Sequence, residues 1–319
     1  MAQPAMTRKT QSGNEFAMRM RRAAAPAGVV SGHRAGRARR RWLAVALLPG
    51  LVVACGTDQP AFELLRVIDG QGRQGVATDG NGYFVSGSKA LYAYNKQGQL
   101  LASNETPFDG METVANHIGD ISVHDGELYA GIEHFLDGKA ENIRIAVYDA
   151  RTLAYRRAID WNPASGQVEV SAVAVDVAND SIWMTDWTDG GHVFRYSLST
   201  GEYAGKMHLD PAPSAPQGVA VHAGYLYITA DDGNAETDQA DGLWQVRADP
   251  AAREAKAVRV KAFTEFRRAG EIEGLDFDLP AAQMVVLNNR GERIVKGMPS
   301  GLYPGYDREI HELYVYRVR

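Results

Sequence analysis

Apolar and polar residues alternate with a period of two through much of the chain, and the alternation recurs as pairs of short segments. Residues 216–229 show it most clearly, with one alternating strand, a tight turn at Ala223-Gly224 and a second strand whose apolar residues share one face. The same pair occurs five times. The position shared by the five copies is occupied by Gly75, Gly119, Ala172, Gly218 and Gly274.

These copies follow one another at steps of 44, 53, 46 and 56 residues. A repeat of about 40 to 50 residues built from short strands is typical of propeller blades. The sequence therefore predicts an all-β fold, a β-propeller with five four-stranded blades, although a divergent sixth blade could lie in the longer segments. Alternation also predicts a third strand in each blade, at residues 89–95, 143–149, 192–198, 242–248 and 312–318.

Both ends of the repeat array are irregular. Residues 62–68 form an extra strand before the first copy, and the last copy ends after its third strand. We expect the N-terminal strand to pair with the C-terminal one, because this completes the last blade and leaves no long sheet edge exposed.

Residues 1–54 are predicted to be a secretory leader. They carry ten basic residues and one acid, followed by a short apolar run from Trp42 to Ala54. The sequence Val52-Val53-Ala54-Cys55 resembles the lipobox of bacterial lipoproteins, in which the cysteine is lipidated and becomes the new N-terminus. Residue 56 is Gly rather than Asp, which by the same resemblance favours the outer membrane, facing the periplasm or the cell surface.

The leader is longer than usual, which suggests that translation starts downstream of the first Met. We assign residues 55–60 to the lipidated Cys55 and a tether, and residues 61–319 to the propeller domain. Cys55 is the single cysteine of the chain, so the domain has no disulfides.

Removal of the leader changes the charge balance. The leader contributes +9, so the net charge falls from -5 for the whole chain to -14 for the remainder. A chain this acidic repels nucleic acid and anionic lipid surfaces and attracts cations. We therefore expect no nucleic-acid partner.

Polar residues recur at the start of the first strand and at the end of the second strand of each copy, and in a propeller these positions open on one face around the central channel. We regard as channel-mouth ligand or metal candidates Gln74, His117, Asp120, Glu133, Glu169, Asp186, Gln217, Asp231, Glu273 and Asn288. Carboxylate and amide oxygens from scattered loops suit Ca²⁺, whereas a hydrated mouth without metal is the alternative. A second calcium site is possible where Asp232, Asn234, Glu236 and Asp238 alternate.

The segment between Asn289 and Glu312 is rich in Gly, Pro and Tyr. Long loops in compact domains are often lids or binding loops. Its lid candidates are Tyr303, Tyr306, Arg308 and His311, although Arg308 could instead pair with Glu309. By contrast, we expect Trp183, Trp187 and Trp244 to pack between sheets.

Two short motifs carry a family resemblance, Glu-Gly-Leu-Asp at 273–276 and Pro-Gln-Gly-Val at 216–219. They resemble the gluconolactonase and senescence-marker family and, more loosely, NHL-type propellers. The resemblance implies a divalent cation that is held by a Glu, an Asn and an Asp and polarises a lactone or ester carbonyl. Glu273 fits this pattern, but Gln217 stands where the family has Asn, and the blade count is five rather than six.

Three functions are compatible with these patterns. The first is a surface-tethered propeller that binds an unknown small molecule or envelope protein at the channel mouth, with or without a structural Ca²⁺. The second is a metal-dependent hydrolase in which Glu273, Gln217 and either Asp186 or Asp231 hold the cation. His117 or His311 would then act as the general base. The third is an envelope scaffold without a small-molecule site.

Overall fold

The alternating segments form twenty-one strands in the part of the chain that the computed structural model describes, residues 60–136, 139–266, 270–293 and 301–319. The leader and Cys55 lie outside these residues. Strand β1 (Phe62–Gly70) precedes the first blade. Blade 1 contains β2 (Gly75–Ala77), β3 (Gly82–Gly87), β4 (Ala90–Asn95) and β5 (Leu100–Asn104). Blade 2 contains β6 (His117–His124), β7 (Glu127–Leu136), β8 (Lys139–Asp149) and β9 (Tyr155–Asp160).

The remaining strands form three further blades. Blade 3 contains β10 (Ala172–Asp176), β11 (Ser181–Thr185), β12 (His192–Ser197) and β13 (Tyr203–Asp210). Blade 4 contains β14 (Pro216–His222), β15 (Tyr225–Ala230), β16 (Gly242–Arg247) and, after β17 (Glu254–Lys256), β18 (Val258–Ala262). Blade 5 contains β19 (Gly270–Asp278), β20 (Gln283–Arg290), β21 (Ile310–Val318) and β1. The described helices are short 3-10 turns at Pro163–Ser165, Val177–Asn179 and Ala235–Thr237.

The predicted five-bladed propeller is confirmed, and so is its closure. Strand β1 pairs antiparallel with β21, from Phe62 beside Val318 to Gly70 beside His311. One detail was not predicted: β17 adds a fifth, parallel strand to the outer edge of blade 3. Among the described residues, no helix has the length and apolar character needed to cross a membrane.

Apolar side chains are buried in five clusters, one between each pair of neighbouring blades. Trp183 lies between blades 3 and 4, Phe277 between blades 4 and 5, and Val76 between blades 5 and 1. Successive side chains of a strand point to opposite faces of its blade. Because each blade is covered by a neighbour on both faces, the side chains on both faces are buried.

At the propeller axis the first strands approach one another too closely for side chains. A Cβ atom on Gly75 would overlap Asp120, and one on Gly274 would overlap both Asp120 and Gly75. A Cβ on Gly119 would overlap the backbone of Ser171 in the next blade. The shared glycine of the repeat thus marks the innermost ring of the fold.

We predict that Gly274→Ala destabilises the propeller. The added methyl group has no space at the axis, and such overpacking costs about 1–3 kcal/mol, or a fall in melting temperature of about 3–10 °C for a domain of this size. Gly70→Ala is the matched control, since no atom lies within 4 Å of its added Cβ. Equal melting temperatures for the two variants would contradict the close approach at the axis.

Candidate functional site

A cavity of about 210 Å³ opens at the end of the channel where the first strand of each blade begins. All five blades contribute to its wall. The lining residues are Gln74, His117, Glu133, Phe135, Glu169, Ser171, Trp187, Gln217, Glu271 and Glu273. Six of the ten channel-mouth candidates therefore share one cavity, because first strands start and second strands end at the same face of a propeller.

His117 links two blades within this cavity. Its Nδ1 lies 3.1 Å from Oε1 of Glu133, and its Nε2 lies 2.9 Å from Oε1 of Gln74. Glu133 is fully buried, and its second oxygen accepts a hydrogen bond from the backbone N–H of Val170 at 2.9 Å. Both ring nitrogens of His117 thus face oxygen atoms, and neither one points freely at the cavity.

Glu271 and Glu273 form a hydrogen-bonded pair of acids on β19. Burial raises the pKa of Glu271 to about 7, although the charge of Arg73 opposes the shift. Burial and the neighbouring charge of Glu271 raise the pKa of Glu273 well above its usual range. Gln217 donates to Glu271 at 2.7 Å, and Asn289 donates to Glu273 at 2.7 Å. Amides therefore orient both acids.

Arg73 lies behind this pair and contacts several acids at once. Its guanidinium is 3.6 Å from Glu271 and 3.2 Å from both Glu292 and Glu309. Because one arginine faces four glutamates, including Glu273, its positive charge does not balance theirs. The channel mouth therefore holds more acids than cations, and burial raises the pKa of Glu169, Glu271 and Glu273.

Glu169 and Asp186 organise the blade 3 side of the mouth. Glu169 is 5% exposed and accepts the backbone N–H of Trp187 at 2.7 Å. Burial, with the charges of Glu133 and Asp186, raises the pKa of Glu169 well above its usual range. Asp186 is not part of the cavity wall, because its carboxylate accepts the backbone N–H of Thr188 in its own turn and that of Val168 in the segment before β10, each at 2.9 Å. Asp186 shapes the loop that carries Trp187.

Asp120 lies deeper than the cavity, on the propeller axis. Its carboxylate accepts the backbone N–H of Val76 in blade 1 at 3.0 Å and that of Val219 in blade 4 at 3.2 Å. Its own N–H donates to Ser171 in blade 3 at 2.8 Å. Burial raises the pKa of Asp120 well above its usual range. Asp120 was a channel-mouth candidate, but in the structure it joins the blades and does not line the cavity.

Two other candidates lie near the cavity but do not form its wall. Asp231 is hydrogen-bonded to Asp241, and burial together with the charge of Glu271 raises its pKa well above the usual range. Asn288 is 1% exposed, and its side-chain nitrogen is buried without a hydrogen-bond partner.

The oxygens at the mouth do not fit a calcium ion in their present arrangement. The carboxylate oxygens of Glu133, Glu273 and Asp186 accept hydrogen bonds from N–H groups. In the described residues, no group of three or more acidic, His or Cys side chains has metal-binding spacing. In the second acidic loop, Asn234 caps a short turn and Asp232 accepts from Trp244 at 2.8 Å. Calcium at either place stays a prediction of the sequence.

None of the four lid candidates lines the cavity. Tyr303 packs under Arg293 at 4.6 Å, and Tyr306 lies under Arg290 at 5.8 Å. Arg308 is exposed, and Glu309 contacts Arg73 instead of being paired with its neighbour. Residues 294–300 lie outside the described part of the chain, so closure by this segment stays a prediction.

His311 is held against blade 5. Its Nδ1 lies 2.7 Å from Oδ1 of Asn289, whose amide nitrogen already donates to Glu273. The Nδ1 atom of His311 is therefore the donor. Burial, aided by the charge of Arg73, lowers the pKa of His311 to about 4.

Sequence reasoning did not select four residues of the cavity, which are Phe135, Ser171, Trp187 and Glu271. The sequence could have indicated Glu271, since it lies two residues before Glu273 in an alternating strand and therefore shares its face. Trp187 was expected to pack between sheets, but it follows β11 and belongs to the mouth. Its indole N–H is buried without a partner.

No protein-family model matches this sequence, and no curated protein is found to be similar to it. The chain is similar in structure to a gluconolactonase from Xanthomonas campestris (TM-score 0.42, 11% identity), covering 75% of this chain and 68% of that one. It is also similar to U3-55K, with a TM-score of 0.40 and 9% identity, over 76% of this chain and 67% of that one. A chain of the mitotic checkpoint complex gives a TM-score of 0.41 and 11% identity, over 87% of this chain and 98% of that one. These likenesses say nothing about activity.

We predict that the free energy of unfolding falls between pH 6.5 and 8 and falls less in Glu271→Gln. The pKa of Glu271 is raised from 4.5 to about 7, so the folded state binds more protons than the unfolded state in this window. The stability from this proton is complete below the unfolded pKa and is lost as pH rises through about 7, with a slope of up to about 1.4 kcal/mol per pH unit for one proton.

Urea unfolding at pH 6.5, 7.2 and 8.0 measures this effect. Asp276 and Glu309 also have pKa values of about 7 and remain in the variant, so its curve keeps part of the slope. His311 opposes the trend only below about pH 6.5, outside the window. Parallel pH profiles for wild type and Glu271→Gln would show that Glu271 does not take up this proton.

Proposed function

We propose that this protein is a ligand-binding β-propeller, held at the cell envelope by a lipid on Cys55, that binds a small molecule in the channel-mouth cavity. The observation that carries the proposal is the convergence of side chains from all five blades on one cavity. A structural channel lining needs only polar groups and water. This cavity also has two aromatic side chains and an orphaned indole N–H, as ligand sites commonly do.

The position of β1 supports a tethered arrangement. Gly70 lies at the mouth end of blade 5 beside His311, whereas Phe62 lies at the opposite end beside Val318. The chain therefore enters the domain at the face opposite the cavity.

The hydrolase and the scaffold are less well supported. Of the residues suggested for a catalytic metal, Glu273 and Gln217 line the cavity, but Asp186 and Asp231 do not. Of the two suggested bases, His117 has both nitrogens against oxygen atoms, and His311 is held by Asn289. A scaffold that uses only the outer blade edges would have no use for the aromatic residues at the mouth.

A thermal-shift screen of small polar molecules against the purified chain tests ligand binding. A ligand at 100 times its dissociation constant stabilises the folded state by about 2.7 kcal/mol, which raises the melting temperature by several degrees. We expect such hits to be lost in Trp187→Ala and retained in Asp109→Ala, which changes an exposed residue that does not line the cavity. Hits that bind equally well to Trp187→Ala would place the ligand elsewhere.

Calcium forms a separate arm of the same screen. A rise in melting temperature with millimolar Ca²⁺ that disappears with chelator and in Glu273→Ala would establish the cation site expected from the sequence. The same melting temperature with Ca²⁺ and with chelator would remove calcium from the proposal without affecting the ligand cavity.

Lipid attachment is tested at Cys55. We expect a labelled fatty acid to be incorporated into the wild-type protein and to be absent from Cys55→Ser, which should also lose its membrane association. Cys55 is the single cysteine, so the label has no second thiol to occupy. Membrane association that is unchanged without fatty-acid labelling would contradict the lipoprotein assignment.

A further inference from the structure

The cavity wall is acidic. Four glutamates line it, and no lysine or arginine is among its ten lining residues. One of the four, Glu133, is hydrogen-bonded to His117 at 3.1 Å. The other three, Glu169, Glu271 and Glu273, are at most 7% exposed, and burial raises the pKa of each, so a large share of them is protonated at neutral pH. A bound cation would favour their ionised forms, whereas an anionic ligand would find no cationic side chain on the wall.

The same wall has an apolar side. Phe135 is a large apolar side chain that is 37% exposed, and its ring lies 6.0 Å from the ring of His117. Trp187 is on the blade 3 side and is connected to Glu169 through its backbone N–H. Aromatic rings attract cations through their negative faces, and a neighbouring carboxylate strengthens the attraction.

The indole N–H of Trp187 points to a missing partner. It is buried and makes no hydrogen bond, whereas buried polar groups in proteins nearly always find one. The N–H group itself is closed off from solvent, so a polar atom on a ligand would satisfy it only after a shift of the ring. The cavity volume of about 210 Å³ corresponds to about seven water molecules at roughly 30 Å³ each, so a ligand with a single ring or a short branched chain would fill it.

We propose that the cavity binds a small organic cation, a protonated amine or a quaternary ammonium. Its positive group faces Glu169, Glu271 and Glu273, and its apolar body lies against Phe135 and Trp187. This inference rests on the proposed function and names the class of ligand for the same cavity. A cation is favoured over a neutral molecule because a positive charge beside these carboxyl groups stabilises their ionised forms, which burial alone disfavours.

Calorimetry with two pairs of isosteres tests the inference. The probes are benzylammonium with benzyl alcohol, and choline with 3,3-dimethylbutan-1-ol, because the members of each pair have similar shapes and differ in charge. We expect at least one cation to bind at least about tenfold more tightly than its neutral partner at physiological salt, since one compensated charge is worth about that factor.

Two variants locate the charge effect. Glu271→Gln and Glu169→Gln should each weaken the cation about tenfold and change benzyl alcohol less than about twofold. Glu112→Gln is the matched control, since Glu112 is exposed and does not line the cavity. Circular dichroism of each variant shows whether the fold is retained, and the second variant keeps the test valid if the first is misfolded.

The outcomes separate this inference from the proposal on which it rests. Equal affinity for a cation and its neutral isostere would overturn the cation inference and leave a ligand-binding cavity. Failure of all four probes to bind at millimolar concentration would also overturn it, while the library screen with Trp187→Ala would still decide whether the cavity binds a ligand. A library screen that yields no hit on the wild-type protein, or only hits that bind equally well to Trp187→Ala, would overturn both.

Discussion

The fold depends on close backbone contact around the propeller axis, where the buried carboxyl group of Asp120 joins neighbouring and opposite blades. Its oxygens accept N–H groups from blades 1 and 4, and its own N–H donates to blade 3. These contacts require that the first strands carry almost no side-chain volume at the axis, which explains Gly75 and Gly274. Hydrogen bonds made in so dry a place are strong, and leaving them unmade is costly.

The cavity follows from the same constraint. Below the mouth the axis is filled by Asp120 and by backbone, so the mouth cavity is closed at its base, and a separate cavity lies at the opposite end of the channel. Side chains at the starts of five first strands then converge around that opening, where Glu273 lies within one residue of the axial Gly274. The tight axis therefore provides a rigid base for the cavity and keeps four glutamates close together at low exposure. Buried acids this close together have raised pKa values, and a bound cation would favour their ionised forms.

The alternating pattern predicted a large part of the architecture because strand period, turn residues and repeat length are local properties of a chain. It located the five copies, the third strands and the pairing of β1 with β21. It could not predict β17, a three-residue strand whose pairing with β13 is non-local. Cys55 was assigned from local sequence alone, and its lipidation stays a prediction.

The sequence by itself determined the blades, the glycine ring and the face on which polar residues gather, because these follow from residue period and from the order of strands. Only the tertiary structure decided which polar residues share the cavity. It separated Asp120 and Asp186, whose oxygens accept backbone N–H groups, from Glu271 and Glu273, which face the opening. It also placed Trp187 at the opening and Arg73 behind the two glutamates. Such choices depend on distances between blades that are remote in sequence, and no local pattern records those distances.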